Sequence, residues 1–359
     1  MEEVFLSLVR LGIGNSNKIV PIPNDIDWSR LEDLAKKQGL LGIIVDAVEK
    51  LPENQKPPIV IFLRWVGEVL QEYENRYETY KKAIGELSDF YNRHGFRMMV
   101  VKGYACSLDW PKPAHRPCGD IDIYLCGKQK EADEALEDWF KIANNQRLEI
   151  DRSHYHHTIF EWQGYTVENH YDFLNTRQHR SNVKLEKVMK QLAEDDTRIV
   201  DVCGERVYLP SPNFHALFLL RHAMTHLAAT SINLRQLMDW AFFVKEHGKE
   251  VDWKWLTSIL DVYGMRKMFN IFNAICVSNL GFESNVFPTV QFDPFVKDRV
   301  LRDILSPEFN EEESKGKLCW AVFIYRRWRS NRWKHELCFN ESLWSAFWTG
   351  VIGHMMKPS

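Results

Sequence analysis

Two aspartates, Asp120 and Asp122, stand in a short apolar stretch and could bind a divalent cation. Side chains alternate between the two faces of a strand, so a strand here would place both carboxylates on one face and Ile121 and Ile123 on the other. In proteins, Mg²⁺ commonly binds one or two carboxylates together with the phosphates of a substrate. The stretch therefore predicts a metal and phosphate site that is built on a strand.

The same tripeptide occurs earlier in the chain as Asp25-Ile26-Asp27, where it predicts a different role. This copy follows two prolines and precedes the apolar pattern of a helix that begins near Trp28, so an aspartate there is expected to cap the helix. The second copy follows Gly119, and an apolar strand upstream of it ends in Lys102-Gly103. The surrounding sequence, and not the tripeptide, therefore indicates the metal site.

A third acidic residue, Glu168, lies on the return strand of a predicted β-hairpin that turns at Gln163-Gly164. In a strand, Glu168 and His170 share one face because they are two residues apart. A site for two metal ions needs a third acid beside the aspartate pair. We therefore expect a mixed sheet to bring Glu168 next to Asp120 and Asp122.

Alternating helices and strands are predicted around these residues. Upstream, apolar spacing predicts helical structure over residues 28–51 and 59–94, with Gly95 as the C-terminal stop. Downstream of the hairpin, the pattern is again mostly helical. The predicted core consists of strands at 96–101, 119–125, 147–151, 156–162 and 165–172 and of helical segments at 104–110 and 128–144.

The pattern predicts an α+β fold, in which a small mixed β-sheet core is flanked by helical regions. We expect an N-terminal helical region at 1–95, the core with the acidic site at 96–200, and a C-terminal helical region at 201–359. A chain of 359 residues with 45% hydrophobic and 26% charged residues can bury a sizeable core. Its net charge of −3 gives no general argument for binding nucleic acid or acidic membranes.

The cysteines indicate a reducing compartment, and the N-terminal sequence bears on targeting. The seven cysteines are odd in number and irregularly spaced, which favours neither a disulfide framework nor a zinc ribbon. The sequence MEEVFLSLVRLGIG lacks the pattern of a signal peptide, and no window approaches 18 uninterrupted apolar residues. We therefore expect a cytoplasmic protein without a membrane span.

Taken together, these motifs resemble the nucleotidyltransferase superfamily, and most closely its bacterial group of uncharacterised nucleotidyltransferases. The resemblance extends to helical patterns within residues 214–244 and loosely to the N-terminal helices. Many nucleotidyltransferases carry Gly-Ser where this chain has Lys-Gly, which weakens any transfer of substrate identity from better-known branches. The strings that carry the resemblance are Lys102-Gly103, Arg116-Pro117-Cys118-Gly119-Asp120-Ile121-Asp122 and Val167-Glu168-Asn169-His170.

The resemblance implies an Mg²⁺-dependent enzyme that transfers a nucleoside monophosphate from an NTP, such as ATP, to a hydroxyl acceptor. Asp120, Asp122 and Glu168 would bind two Mg²⁺ ions, and Glu168 could also accept the proton of the acceptor. Arginine suits phosphate through its planar fork, and glycine lets the backbone approach phosphates closely. The residues expected to bind the nucleotide are Lys102, Gly103, Arg116 and Gly119.

Several alternatives remain at this stage. The acceptor can be a small molecule, a tRNA end or a protein hydroxyl, and the oligomeric state is open. Rival functions are a catalytically inactive nucleotide-binding or scaffold protein with the same fold, and a toxin-type nucleotidyltransferase that modifies RNA. Lys102 can be only a charge at a strand end, and Arg116 only a salt-bridge partner.

Histidines form two further patterns. His154, His156 and His157 cluster before the hairpin, and His222 and His226 are four residues apart on a predicted helix. Neither pattern has the Glu of a His-Glu-x-x-His site or an accompanying cysteine pair. The alternatives to zinc binding are substrate contact and, favoured here, packing or hydrogen bonding.

Residues 325–334 combine five basic residues with three aromatic ones. This mixture suits a single-stranded nucleic-acid platform, where bases stack on rings, and it also suits a basic amphipathic helix on a membrane surface. A third interpretation is a C-terminal helix whose tryptophans dock on the core while arginine stems cover apolar surface. We favour the third, so nucleic acid is a candidate partner but not the preferred one.

Overall fold

In a computed structural model, the chain is described at residues 1–16, 21–144, 148–177, 179–195, 197–309 and 317–342 and at Trp344 and Trp348. Over these residues it has the predicted α+β fold, a mixed sheet flanked by helices. Across the same part of the chain, none of the helices is both long and apolar enough to cross a membrane.

Within the described residues, the sheet has six strands. In chain order they are β1 (Met99–Val100), β2 (Ile121–Tyr124), β3 (His157–Trp162), β4 (Tyr165–His170), β5 (Arg198–Val202) and β6 (Glu205–Leu209). Their order across the sheet is β3-β4-β2-β1-β6-β5. The pairs β2–β4 and β1–β6 are parallel, whereas β1–β2, β3–β4 and β5–β6 are antiparallel. The mixed character of the predicted sheet is therefore confirmed.

The predicted hairpin over residues 156–172 is confirmed, but the other strands differ from prediction. The strand expected at 119–125 forms only at Ile121–Tyr124, so Asp120 precedes it. Of the strand expected at 147–151, Arg147 lies outside the described residues, and Asp151 makes a single bridge to Ile159.

The hairpin of β5 and β6 was not predicted. Its turn, Cys203-Gly204, has positive φ at both residues. Such turns usually have the sequence Asn-Gly or Asp-Gly, and here a cysteine stands at the first position.

Helices form most of the described chain outside the sheet. In chain order they are α1 (Glu2–Gly12), α2 (Trp28–Lys37), α3 (Leu41–Glu49), α4 (Ile59–Glu68), α5 (Arg76–Arg93), α6 (Tyr104–Ser107), α7 (Gln129–Asn144), α8 (Arg180–Asp195), α9 (Pro212–Ala229), α10 (Leu234–His247), α11 (Trp253–Val262), α12 (Arg266–Ser278), α13 (Pro294–Leu305) and α14 (Lys317–Cys338). The first Asp-Ile-Asp copy caps α2 as predicted, because Asp27 accepts a hydrogen bond from the N–H of Arg30 at 3.0 Å.

The described chain divides into two compact units. The helical unit contains residues 1–74, 110–116 and most of 219–342, and the sheet unit consists chiefly of residues 75–109 and 117–218. All six strands belong to the sheet unit.

Helices α5 and α7 cover one face of the sheet. Trp162 on β3 donates a hydrogen bond from its indole to the carbonyl of Ala83 on α5 at 3.0 Å. The buried carboxylate of Asp133 on α7 accepts hydrogen bonds from Asn169 at 2.7 Å and from Thr158 at 2.8 Å. Because a slip of one residue would reverse every side chain, these bonds fix which residues of the hairpin face the opposite side.

Candidate functional site

Strand pairing brings Asp122 and Glu168 together on the sheet face that α5 and α7 do not cover. β2 and β4 run parallel, and Asp122 lies directly opposite Glu168 in their register. Asn169, the next residue on β4, points to Asp133 on the covered face, so Glu168 points away from it. Asp122 is only 7% exposed, which places one carboxylate in a desolvated position beside a second one.

Two histidines of the β3–β4 hairpin border these carboxylates. His157 and His170 are partners in the antiparallel register. The Nε2 atom of His170 lies 3.4 Å from Oδ1 of Asp122 and 3.6 Å from Oε2 of Glu168. The Nδ1 atom of His157 is also 3.6 Å from Oε2 of Glu168. The sheet thus gathers acidic and imidazole groups at one point.

The environment of Glu168 favours its neutral form. Burial raises the pKa of Glu168, and the negative charge of Asp122 raises it further. His170 and Lys102 act in the opposite direction, and Asp120 adds to the increase. A cation that binds between the carboxylates would relieve this repulsion, because it favours the ionised form of both.

Asp122, Glu168 and His170 offer both oxygen and nitrogen atoms as metal ligands. Oxygen atoms of Asp122 and Glu168 and a ring nitrogen of His170 all lie within 4.8 Å of one another. Carboxylate oxygens are the ligands that Mg²⁺ prefers, so the two acids fit this ion. The imidazole nitrogen suits transition metals such as zinc better than Mg²⁺.

Asp120 and Gly119 lie on the exposed approach to β2. Asp120 is exposed, and its backbone carbonyl accepts a hydrogen bond from the Tyr80 hydroxyl at 2.8 Å. Its charge acts on Glu168, as the raised pKa of that group reflects. A Cβ atom built on Gly119 would meet no heavy atom within 4 Å. Gly119 therefore leaves open space beside the acidic residues.

Lys102 and Gly103 follow β1 and reach the same region. Gly103 has φ +52°, and a Cβ atom there would lie 2.3 Å from the Tyr80 hydroxyl oxygen and 3.3 Å from the Asp120 carbonyl oxygen. A side chain at this position would therefore disturb the bond that holds Asp120. The positive charge of Lys102 lowers the pKa of Glu168, which reports an electrostatic interaction between them.

Arg116 belongs to the helical unit, where it forms a buried salt bridge. Its Nε and Nη2 atoms donate to the two carboxylate oxygens of Asp239 at 2.7 and 2.9 Å. Arg116 is 2% exposed and Asp239 is 4% exposed, and the indole of Trp110 donates a further hydrogen bond to Asp239 at 2.9 Å. The guanidinium fork that was expected to bind phosphate is thus engaged by a carboxylate.

His115, the residue before Arg116, is also tied to acids within the helical unit. Its Nδ1 lies 2.8 Å from Asp46 and its Nε2 lies 2.9 Å from Glu74, while Lys112 also contacts Asp46. Burial lowers the pKa of His115, but the hydrogen bonds to the two acids outweigh burial and raise the pKa above its ordinary value. These pairs anchor the proline-rich linker that precedes the Gly-Asp-Ile-Asp string.

The other sequence patterns lie in the helical unit. The rings of His222 and His226 are 4.4 Å apart, and neither histidine joins a group of potential metal ligands among the described residues. In the basic and aromatic segment, Lys334 is fully buried and pairs with Asp303 at 2.6 Å. Trp333 stacks under Arg299 and donates a hydrogen bond to Glu308 at 3.2 Å. These two residues therefore pack within the unit, in agreement with the favoured docking interpretation.

Sequence reasoning gave too little weight to the hairpin histidines. His156, His157 and His170 have ring nitrogens within 4.8 Å of one another and form a second group of potential metal ligands. The available signal was the alternation of the hairpin, which puts His157 and His170 on the face of Glu168 once the strands are paired correctly. That pairing depends on register, and the sequence does not state the register.

Comparison with known proteins supports a family assignment. A family model described as "Uncharacterised nucleotidyltransferase" matches residues 24–281, more than half of the chain. No curated protein and no solved structure is similar enough to match. The matched region includes Asp120, Asp122 and Glu168, and it also includes the salt bridge between Arg116 and Asp239.

Proposed function

The chain belongs to this uncharacterised nucleotidyltransferase family, and we propose that it transfers a nucleoside monophosphate from an NTP to a hydroxyl acceptor with the aid of Mg²⁺. The observation that carries the proposal is the pairing of Asp122 with Glu168 across parallel strands, with Asp120 on the exposed approach. Three carboxylates in this arrangement suit the binding of a metal–triphosphate complex.

The acidic residues hold the metal in this proposal. Asp120, Asp122 and Glu168 are the proposed ligands of Mg²⁺, which when bound neutralises triphosphate charge and activates a hydroxyl. The acceptor oxygen forms a bond to the α-phosphorus, the bond from that phosphorus to the bridging oxygen breaks, and pyrophosphate leaves with the electron pair. Glu168 takes up the proton of the acceptor on a carboxylate oxygen. Nε2 of His170 lies within 3.6 Å of carboxylate oxygens of Asp122 and Glu168 and helps to orient them.

The nucleotide phosphates approach from the side of Gly119 and Lys102. The open space at Gly119 allows the backbone close access to phosphate oxygens. Lys102 supplies positive charge, and Gly103 shapes the backbone beside Asp120. Because Asp239 already engages the guanidinium of Arg116, we assign Arg116 a structural role instead of a phosphate contact.

The experiment compares the two Asp-Ile-Asp copies of the chain. Wild type, Asp122→Asn and the matched control Asp25→Asn are incubated with each NTP labelled on the α-phosphate, Mg²⁺ and cell extract. Label transfer and pyrophosphate release are both measured. We expect Asp122→Asn to lose more than about 100-fold in turnover, because metal stabilisation of the transition state is worth several kcal/mol. Asp25→Asn should match wild type, and neutralising Asp122 relieves repulsion, so folding should persist.

The rival functions predict different outcomes. Full turnover by Asp122→Asn would show that the acidic site is assigned wrongly. Nucleotide binding in a thermal-shift assay, without pyrophosphate release from any pool of the extract, would favour an inactive nucleotide-binding protein. Label that appears in RNA, together with growth arrest on expression, would identify the toxin-type enzyme.

A further inference from the structure

The open end of the β3–β4 hairpin gathers three imidazole rings. His157 and His170 face each other in the register, and the carbonyl of His156 accepts hydrogen bonds from the N–H groups of Tyr171 and Asp172 at 3.0 Å each. The backbone bonds thus hold all three histidines at the same end of the hairpin. The ring centroids are separated by 4.2 Å for His156–His157, 5.2 Å for His157–His170 and 5.8 Å for His156–His170.

Several ring nitrogens in this group lack a hydrogen bond. Among the described residues, Nδ1 and Nε2 of His157 and Nδ1 of His156 are buried without a hydrogen-bond partner. His157 is only 6% exposed. Its contact with Glu168 at 3.6 Å is longer than a hydrogen bond. Buried polar atoms normally have hydrogen-bond partners, so these buried nitrogens without partners are candidate ligands.

The protonation and orientation of the rings suit metal binding. Burial and the charges of neighbouring histidines together lower the pKa of His156 to about 4 and that of His157 to about 3. A neutral imidazole offers a nitrogen lone pair to a metal ion. Nδ1 of His170 lies 3.3 Å from the carbonyl of Asp172, the backbone contact that commonly orients a metal-bound histidine. Nε2 of His170 then carries the lone pair, and it lies 3.4 Å from Oδ1 of Asp122.

We propose that His156, His157 and His170 bind a transition-metal ion of the Zn²⁺ class, at a site that adjoins the carboxylate pair and shares His170 with it. Neutral imidazole is a preferred ligand of zinc, whereas Mg²⁺ prefers oxygen. Zinc–nitrogen bonds of about 2.0–2.1 Å place tetrahedral nitrogens about 3.4 Å apart. The nitrogens of this group lie within 4.8 Å of one another, so small ring rotations bring them to that distance.

His170 gives this site a connection to the carboxylates. The same side chain belongs to the group with Asp122 and Glu168 and to the group with His156 and His157. Metal bound by the three histidines draws Nε2 of His170 away from the two acids. Metal binding by the three histidines does not depend on nucleotidyl transfer.

The test measures Zn²⁺ binding by calorimetry on the full chain after chelator treatment, in excess Mg²⁺. The variants are His156→Gln and His157→Gln, with His154→Gln as the matched control from the same stretch. The His154 ring stacks on His157, but its nitrogens are outside the ligand group. We expect a single zinc site, whose affinity each ligand variant lowers by more than about 100-fold. This loss is larger than the one caused by changing a residue that only contacts a ligand. His154→Gln should change the affinity by less than about 3-fold, because it removes no ligand.

Further measurements separate this site from the acidic one and from folding defects. Asp122→Asn removes none of the three histidines, so its zinc affinity should fall less than that of His156→Gln, even where it abolishes nucleotide turnover. The visible absorption of bound Co²⁺ should disappear in the ligand variants. His156 is only half-buried, so replacing it should disturb folding less than replacing His157. If circular dichroism shows that His157→Gln is misfolded, the binding data for His156→Gln alone test the site. The proposal is overturned if wild type binds zinc no more tightly than about 1 mM, or if His154→Gln loses as much affinity as His156→Gln.

Discussion

Replacing Arg116 by methionine separates a structural role from a phosphate-binding role for this residue. Methionine keeps most of the side-chain length but removes the positive charge and both donors to Asp239. Asp239 would then remain only 4% exposed. The Trp110 indole would still donate a hydrogen bond to its carboxylate. The change therefore creates a buried negative charge without its countercharge.

The expected cost is large because both partners are desolvated. Removing one partner of a buried ion pair typically costs about 3–5 kcal/mol of unfolding free energy. With a denaturant slope of about 3 kcal/mol per molar, this corresponds to a decrease of roughly 1–1.7 M in the urea midpoint. The matched control is Arg93→Met, whose bond to Asp89 is equally short at 2.7 Å but whose side chain is 75% exposed. That change should cost less than about 1 kcal/mol.

The assay combines urea unfolding, followed by circular dichroism, with nucleotide binding in Mg²⁺. A second variant, Arg116→Met with Asp239→Asn, removes the unpaired charge but keeps an oxygen acceptor for Trp110. It should recover part of the stability that Arg116→Met alone loses. The reasoning is refuted if Arg116→Met keeps its urea midpoint within about 0.3 M of wild type while nucleotide affinity falls more than about 10-fold. That result would make Arg116 a phosphate ligand.

Three other changes test the contacts of His115 and the space around the two glycines. The pKa of His115 is raised in the folded state. Its ion pair with Asp46 therefore contributes fully to the stability of the folded state below about pH 6.5, the ordinary pKa of histidine. This contribution is lost as the pH rises through the higher pKa of the folded state. Melting temperatures across pH 5–9 should therefore fall less steeply for His115→Gln than for wild type, and identical profiles would contradict this. Gly103→Ala should lower the melting temperature and the nucleotide affinity together, because its Cβ collides with the Tyr80 hydroxyl. Gly119→Ala should leave the melting temperature unchanged and, if phosphates approach there, lower only the nucleotide affinity. Equal decreases in the melting temperatures of Gly103→Ala and Gly119→Ala would contradict this expected difference.

The sequence alone predicted the local features whose causes lie within a few residues. The α2 cap at Asp27 and the helix end at Gly95 follow from a side-chain hydrogen bond and from the positive φ that glycine tolerates. The hairpin turn at Gln163-Gly164 is equally local. The α+β class followed from the periodicity of apolar residues, because a period of two or of 3.6 residues needs only the neighbouring chain.

The site required more than local pattern. The sequence predicted that a mixed sheet would bring Glu168 next to Asp122, although 45 residues of chain lie between them. Their direct pairing depends on the register of β2 with β4, which the buried Asp133 and its bonds to Asn169 and Thr158 help to fix. The unpredicted second hairpin illustrates the same limit, since its turn chemistry at Cys203 is atypical.

Only the tertiary structure decided what the charged residues contact. Arg116 stands four residues before Asp120 in the sequence and looks like part of one motif, yet its guanidinium pairs with Asp239, more than a hundred residues away. His157 and His170 appear as separate histidines in the sequence, yet strand pairing turns them toward each other. The physical reason is that periodicity determines which face a side chain occupies, whereas register and long-range packing determine its neighbours. Those neighbours determine its charge state and its chemistry.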